Sequence, residues 1–260
     1  MDVAGLFSLK GRVALITGGS RGIGKMIARG YLASGCSRVY ITARKAAACD
    51  ATAAELTAEY DGECISLPID VSTVDGCKAL AAEIAKREDA LHILVNNAGA
   101  AWLAPFDEFP ESGWDKVVDL NLKTPMFLTQ ALIGLLRAGA SAAQPSKVIN
   151  VASIDGMSVN RQETYPYAAS KAGLIHLTRR MALRLVEDHV VASCICPGPF
   201  ASDMNTVARD QADAVAARTP AGRIGADEDM AGVAIYLASK AGDFVVGEHI
   251  AVDGGVTIAR

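Results

Sequence analysis

Seven apolar runs of strand length recur along the chain, at Val13 to Thr17, Val39 to Ala43, Cys64 to Ile69, Ile93 to Asn96, Lys147 to Val151, Val191 to Cys196 and His249 to Val252. Most are nearly continuous rather than alternating, the pattern of strands covered on both faces. Between them lie longer Ala-rich stretches with apolar residues at three- and four-residue spacing, as in Met26, Ile27, Gly30 and Tyr31. These predict helices starting near Gly22, Thr73, Trp114, Pro166 and Asp227. The alternation implies βαβ units: an α/β protein with a Rossmann-type, doubly wound parallel sheet of about seven strands and, through right-handed crossovers, helices on both faces.

No linker or shift in composition divides the chain, so residues 1–260 are expected to form one domain, with Ala138 to Ser146 as a surface loop. The least regular stretch, 198–223, follows a strand end and mixes Pro, polar and apolar residues, as a mobile substrate lid does. A helix read from Trp114 to Leu136 carries Val117, Leu120, Leu128 and Leu132 on related faces, more apolar surface than one sheet contact uses.

Composition narrows the function. A net charge of −4 with both signs interspersed offers no basic stripe for phosphates in series, so nucleic acid is not an expected partner. Met1 to Leu9 lacks a basic segment followed by an apolar one, and no apolar run reaches the ~20 residues that span a bilayer. A cytoplasmic protein with no membrane partner is expected. The six cysteines (Cys36, Cys49, Cys64, Cys77, Cys194, Cys196) show no Cys-x-x-Cys spacing and no clustered His, so they read as small buried hydrophobes and no metal is expected.

The first strand runs directly into Thr17-Gly18-Gly19-Ser20-Arg21-Gly22-Ile23-Gly24 and then a helical pattern. Glycines there permit positive φ and close backbone approach, so the free N–H groups and positive dipole end of the helix can face a pyrophosphate. Taken alone, a glycine cluster is a weak signal, and its place after the first strand strengthens it, with a tight turn without a ligand as the other reading. A site for NAD normally has Asp or Glu at the end of the second strand, on the ribose hydroxyls. Here the strand ends Ile41-Thr42-Ala43-Arg44-Lys45, and Arg21 lies in the glycine turn, so two guanidinium groups could flank the 2′-phosphate of NADP.

Tyr167 and Lys171 stand four apart in a helical stretch and share a face. A phenol titrates near 10; a cation at ~4 Å, at an effective dielectric near 20, is worth about 4 kcal/mol, enough to bring it about three units down. The spacing by itself is common on helix surfaces. Pro166 biases Tyr165 away from helical conformation, which predicts a late start for this helix. The long gap from Ser153 to Tyr167, with Asp155, Asn160, Arg161, Gln162 and Glu163, predicts a polar pocket entrance, and Trp102, Met157, Phe200 and the lid are expected to shape the pocket.

TGGSRGIG, then NNAG at Asn96 to Gly99, Asn121, Ser153 and YAASK at Tyr167 to Lys171 occur in one order, with Asp70-Val71, Pro197-Gly198 and Asp253-Gly254-Gly255 placed among and after them. In this the whole chain resembles the short-chain dehydrogenases/reductases, and within them a branch of 3-oxoacyl-thioester reductases. The resemblance implies an NADPH-dependent carbonyl reductase, reversibly an alcohol dehydrogenase. Tyr167 would be the general acid, Lys171 would tune it and bind the nicotinamide ribose, Ser153 would bond the substrate oxygen, and Asn121 would hold a relay water. It implies a cofactor cradle of Gly18, Ser20, Arg21, Gly22, Ile23 and Gly24, with Arg44 on the phosphate. Asp70 and Val71 would meet the adenine; Asn96, Asn97, Ala98 and Gly99 would line the adenine-ribose and sheet-centre side, and Pro197 and Gly198 the nicotinamide. A homotetramer built on the long central helices and the segment Gly247 to Gly255 is also implied. Other readings stay open: a dehydrogenase of a sugar acid, cyclic alcohol or steroid, or a cofactor-sensing regulator that keeps only the fold.

Overall fold

The computed structural model describes residues 1–259. Seven parallel strands form one sheet in the order β3-β2-β1-β4-β5-β6-β7: β1 Val13–Thr17, β2 Arg38–Thr42, β3 Glu63–Leu67, β4 Ile93–Asn96, β5 Ser146–Val151, β6 Val190–Pro197 and β7 His249–Val252. Every predicted strand forms, with ends moved by at most two residues. β3 stops before its expected end at Ile69 because Pro68 has no N–H to give the ladder.

The helices are α1 Val3–Leu6, α2 Gly22–Ala33, α3 Ala46–Glu59, α4 Val74–Ala85, α5 Glu111–Val118, α6 Thr124–Ala138, α7 Tyr165–Leu185, α8 Thr206–Asp210, α9 Ala212–Ala216 and α10 Asp227–Ala238. The short α1, α8 and α9 were not expected, and three other cases differ from expectation. α3 forms where no helix is expected, its Ala-rich face burying little beyond Cys49, Thr52, Ala53 and Leu56. The helix read from Trp114 to Leu136 is α5 and α6, which begin at Glu111 and are joined by a π-helical turn at Asp119–Lys123. α7 does not start late: Tyr165 is its first residue and Pro166 sits in the first turn, where a missing N–H costs nothing. α4 starts where Thr73 caps it, its hydroxyl accepting from Gly76 N at 3.1 Å.

Strand alternation sorts the core between two faces. Val13 and Leu15 pack on the α4, α6 and α7 side with Leu80, Ile84, Leu128, Leu132 and Met181. Ala14 and Ile16 pack on the other with Ile27, Tyr31, Leu56 and Ala234. Each fully buried side chain of this size stabilises by about 1.5–3 kcal/mol. A Cβ at Gly30 would lie 2.6 Å from that of Ala231, so this glycine sets how closely α2 and α10 approach. All six cysteines are buried and unbonded, and Cys194 and Cys196 share one face of β6 against Leu174 and Ile175. No helix among the described residues is long and apolar enough to cross a membrane.

Parallel pairing leaves β1 and its neighbours with charged side chains at their N-terminal ends, away from the glycine turn. Glu88, 7% exposed, binds the Arg38 guanidinium through both carboxylate oxygens and accepts from Tyr40 Oη at 2.6 Å. Burial raises its proton affinity, but those bonds outweigh it and hold Glu88 below the ordinary carboxylate range. Beside it His92 Nδ1 accepts from Val13 N at 3.0 Å, which requires that nitrogen to be unprotonated. Burial, and then the Arg12 cation, pull His92 below its ordinary value. The unfolded chain therefore binds a proton at His92 more readily than the fold does, so stability is fully present above about pH 6.5 and declines as pH falls through that value. Denaturant melts from pH 7.5 to 5 should show this decline. His92→Asn, which keeps an acceptor that does not titrate, should flatten it; an unchanged slope would remove His92 as the cause.

Candidate active site

Strand order reverses between β1 and β4, and their C-terminal ends open there into a cleft of about 490 Å³. Thr17 ties the two ends together. Its hydroxyl oxygen accepts from Asn97 N at 3.0 Å and Ala98 N at 2.9 Å, while Asn97 Nδ2 donates to Thr17 O at 2.9 Å and Gly18 O at 3.1 Å.

The glycine turn leads into α2 with Arg21 at the N-cap and no side-chain hydrogen bond capping the first turn, and Gly22 and Ile23 of that turn line the cleft. Gly22 takes φ +51°, which favours glycine, and a Cβ at Gly24 would meet Gly18 O and lie 2.6 Å from Asn97 Nδ2. An uncapped helix end behind a backbone too close-packed for side chains fits a pyrophosphate. Gly18, Ser20, Arg21, Gly22, Ile23, Arg44, Asp70, Val71, Asn97, Ala98, Gly99, Tyr167 and Lys171 all line the cleft, as expected from the sequence. Gly24, Pro197 and Gly198 do not; Gly24 packs behind the turn, and a Cβ at Gly198 would lie 2.6 Å from Asp253 Cα. Asn96 is buried in the sheet, donating to Asn150 Oδ1 at 2.9 Å.

The two arginines stand differently. Arg44 is exposed at the rim just past β2, and among the described residues it makes no ion pair. Arg21 is engaged: its Nη1 donates to Asp203 Oδ2 at 2.6 Å. Ser202, Asp203 and Met204 reach this cleft from the long connection after β6, as do Lys116 and Leu120 from the α5 region. Residues 202–204 belong to the stretch 198–223 expected as a lid, but that they meet the glycine turn was not legible, and neither were Lys116 and Leu120, because the sequence does not say where a connection folds back.

Tyr167 and Lys171 meet Ser153 at the inner end. Ser153 begins a short 3-10 turn, its hydroxyl accepting from Asp155 N at 3.1 Å and hydrogen-bonding the Tyr167 phenol. The expected lowering of the phenol by Lys171 is not found. The lysine Nζ stands over the ring face, 5.6 Å from its centroid, and donates to Val151 O at 2.8 Å rather than approaching the phenol oxygen. Burial pushes Tyr167 up to about 12, against the Ser153 bond, and Asp155 adds to the rise. Burial also pulls Lys171 down to about 8, against the Cys194 and Cys196 thiols.

Asn121, buried within the π-helical turn, spends its side chain on protein. Its Oδ1 accepts from Ala100 N at 2.8 Å, and its Nδ2 donates to Ala100 O at 2.9 Å and Ser170 Oγ at 3.1 Å. It ties the loop after β4 to α7 instead of facing the cleft. Tyr165 points away from Lys171, its ring edge-on to Phe106 at 5.5 Å and Phe109 at 5.7 Å, its hydroxyl donating to Glu163 Oε1 at 2.8 Å. Trp102 packs on Gly113 beneath the Lys116 ammonium, 5.1 Å from its ring, and Met157 is exposed. Phe200, expected in the pocket, is instead 2% exposed in the core against Gly225.

Known proteins agree with this architecture. A family model described as enoyl-(acyl carrier protein) reductase matches residues 18–257. The chain is similar to the rhamnolipids biosynthesis 3-oxoacyl-[acyl-carrier-protein] reductase of Pseudomonas aeruginosa, 46% identical over 96% of this chain and 97% of the relative. It is 35% identical to the 5-keto-D-gluconate 5-reductase of Escherichia coli strain K12, over 98% of each. Among solved structures it is similar to the Pseudomonas aeruginosa RhlG/NADP active-site complex, with a TM-score of 0.93, 44% identity and coverage of 98% of this chain and 99% of that one. Matched nearly end to end in sequence and in fold, the chain belongs to the short-chain dehydrogenase/reductase family.

Proposed function

We propose that the protein is an NADPH-dependent carbonyl reductase of 3-oxoacyl thioesters, running reversibly as an alcohol dehydrogenase. The observation that carries this is the joining of Ser153, Tyr167 and Lys171 at the inner end of a cleft whose outer end holds a helix N-terminus without a side-chain cap and an Arg44 that makes no ion pair among the described residues. NADPH would lie on Gly18 to Ile23, with Arg44 on its 2′-phosphate and Asp70, Val71 and Asn97 to Gly99 along its adenosine half; when bound, it supplies a hydride. The P. aeruginosa structure with NADP at this fold's active site supports that placement.

The chain's own residues then handle charge. As hydride reaches the carbonyl carbon, the C=O π electrons move onto oxygen, and the hydroxyls of Ser153 and Tyr167 hydrogen-bond the growing negative charge. Tyr167 gives up its proton to that oxygen, the Ser153 side chain favours the phenolate left behind, and Lys171, its Nζ over the Tyr167 ring, would bind the nicotinamide ribose. Asn121 acts as a positioning residue, tying Ala100, which lines the cleft, to Ser170 on α7.

Met204 lines the cleft, and on the chain segments that lead to it Leu103, Phe106, Met157 and Val159 are exposed, apolar surface suited to an acyl chain beside the polar residues expected at the entrance. A sugar-acid substrate is the second reading, favoured by the gluconate reductase relative and by Lys116 in the cleft wall. The connection 198–223, with α8 and α9, is read as the lid of a single domain. The enzyme is placed in the cytoplasm, which six unbonded thiols suit. It is read as a homotetramer, with one contact on the groove where Met126, Ile133, Leu177 and Met181 line the space between α6 and α7, and another near the exposed Phe244 and Val246. Sedimentation at micromolar concentration should give four protomers, and a monomer would refute the assembly.

NADPH should bind more tightly than NADH, and Arg44→Asp should narrow or reverse the ratio, since a charge-assisted pair is worth about 1.5–3 kcal/mol. Titrating both cofactors against both proteins decides this; equal wild-type affinities would count against it. Tyr167→Phe should lower turnover of an acetoacetyl thioester by at least about 10²–10⁴ with NADPH binding nearly intact. Tyr165→Phe, which keeps its edge contacts with Phe106 and Phe109, should retain substantial activity. Tyr167→Phe at half of wild-type turnover would overturn the mechanism, and a ketone panel including 5-ketogluconate separates the two substrate readings.

A further inference from the structure

Arg21 and Asp203 lie 182 residues apart in the chain and make an ion pair at 2.6 Å inside the wall of the dinucleotide cleft. Asp203 does not stand alone: its other oxygen accepts from Arg209 Nη1 at 3.0 Å, on α8. Next to it Ser202 comes close enough to the glycine turn that a Cβ at Gly22 would lie 3.3 Å from the serine's Cβ. The connection after β6 is thus fastened to the phosphate cradle through one guanidinium, while Arg44, at the same rim, is free of any ion pair among the described residues.

We propose that Asp203 tunes cofactor choice: its carboxylate competes with the ribose 2′-phosphate for Arg21, weakening the hold on NADPH and leaving the hold on NADH unaffected. This rests on the NADPH reading above. A phosphate monoester near neutrality carries close to two negative charges, and placing it on Arg21 brings it against Asp203. Either the pair opens, which frees Asp203 and its Arg209 partner from the glycine turn, or the two anions share one guanidinium and repel. Both outcomes weaken NADPH binding, and neither arises with NADH, which has a hydroxyl at that position. Arg21 and Asp203 are both more than half exposed, so the effect is modest, in line with exposed ion pairs generally.

The test is a set of binding titrations with NADPH and NADH on wild type, Asp203→Asn, Arg21→Met and the double variant, read by cofactor fluorescence rather than turnover. Asp203→Asn should raise the NADPH-over-NADH affinity ratio by about two- to fivefold. In the Arg21→Met background the same substitution should change the ratio by less than about half of that, because the guanidinium it acts through is gone. An unchanged ratio in Asp203→Asn, or an equal rise with and without Arg21, would overturn the proposal. Wild type and Arg44→Asp measured alongside test the NADPH reading separately: a wild type that prefers NADH sinks that reading, whatever Asp203→Asn does.

Discussion

The Thr17 hydroxyl, accepting the main-chain N–H groups of Asn97 and Ala98, holds the one place where the sheet reverses its winding. A parallel sheet gathers strand C-termini at one edge, and at a reversal the crossovers on either side leave opposite ways, so a cleft opens there. Without a tie, β1 and β4 could splay at that edge and the glycine turn would lose its floor. Asn97 completes the bond in the other direction, donating to Thr17 O and Gly18 O. Cradle and inner site therefore share one rigid foundation, and the second is reached through the residues just after Asn97: Gly99 and Ala100, the latter held by Asn121.

Burial has opposite effects on the two titrating groups at the inner end. It raises the Tyr167 phenol to about 12 and lowers the Lys171 ammonium to about 8, because each change favours the neutral form in a poorly solvated site. At neutral pH the phenol keeps its proton and the lysine still carries its charge for the most part. That resting arrangement is ready to donate a proton, which carbonyl reduction requires, whereas alcohol oxidation would begin from a phenolate that burial disfavours. The Ser153 bond, which lowers the phenol against burial, is also the contact a substrate oxygen would share.

The central strands β1, β4, β5 and β6 were legible because both faces of each are covered, so hydrophobicity alone marks them, and Thr73 and the glycine turn gave two helix starts their local signals. α3 was not legible: its alanines spread around the helix and only a narrow side is buried. Neither was the break between α5 and α6, because a π-helical turn inserts without disturbing the apolar spacing by more than a residue. In the site, the spacing of Tyr167 and Lys171 was readable, but not that Lys171 Nζ would bond Val151 O. Sequence distance gives which residues share a helix face and not what the sheet beneath offers them. Phe200 was misplaced for the same reason, since only the return of the chain to Gly225 buries it.

A division of labour between the arginines follows from how each is held. Arg44 is carried by the end of β2, whose pairing with β1 and β3 is complete through Thr42, so its backbone is fixed and its side chain is free of ion pairs among the described residues. Arg21 is carried by the turn itself and is fastened to a connection that no strand pairing restrains beyond the single bridge of Phe200 with Gly225. A fixed backbone with a free side chain suits recognition, because little order remains to be gained and no partner must leave. A side chain already partnered to a long connection couples whatever occupies the cradle to the position of that connection. On the proposed placement of the cofactor, the missing acid at the end of β2 would describe only half of the phosphate site, and the other half would lie where a carboxylate does sit, at Asp203, paired with Arg21.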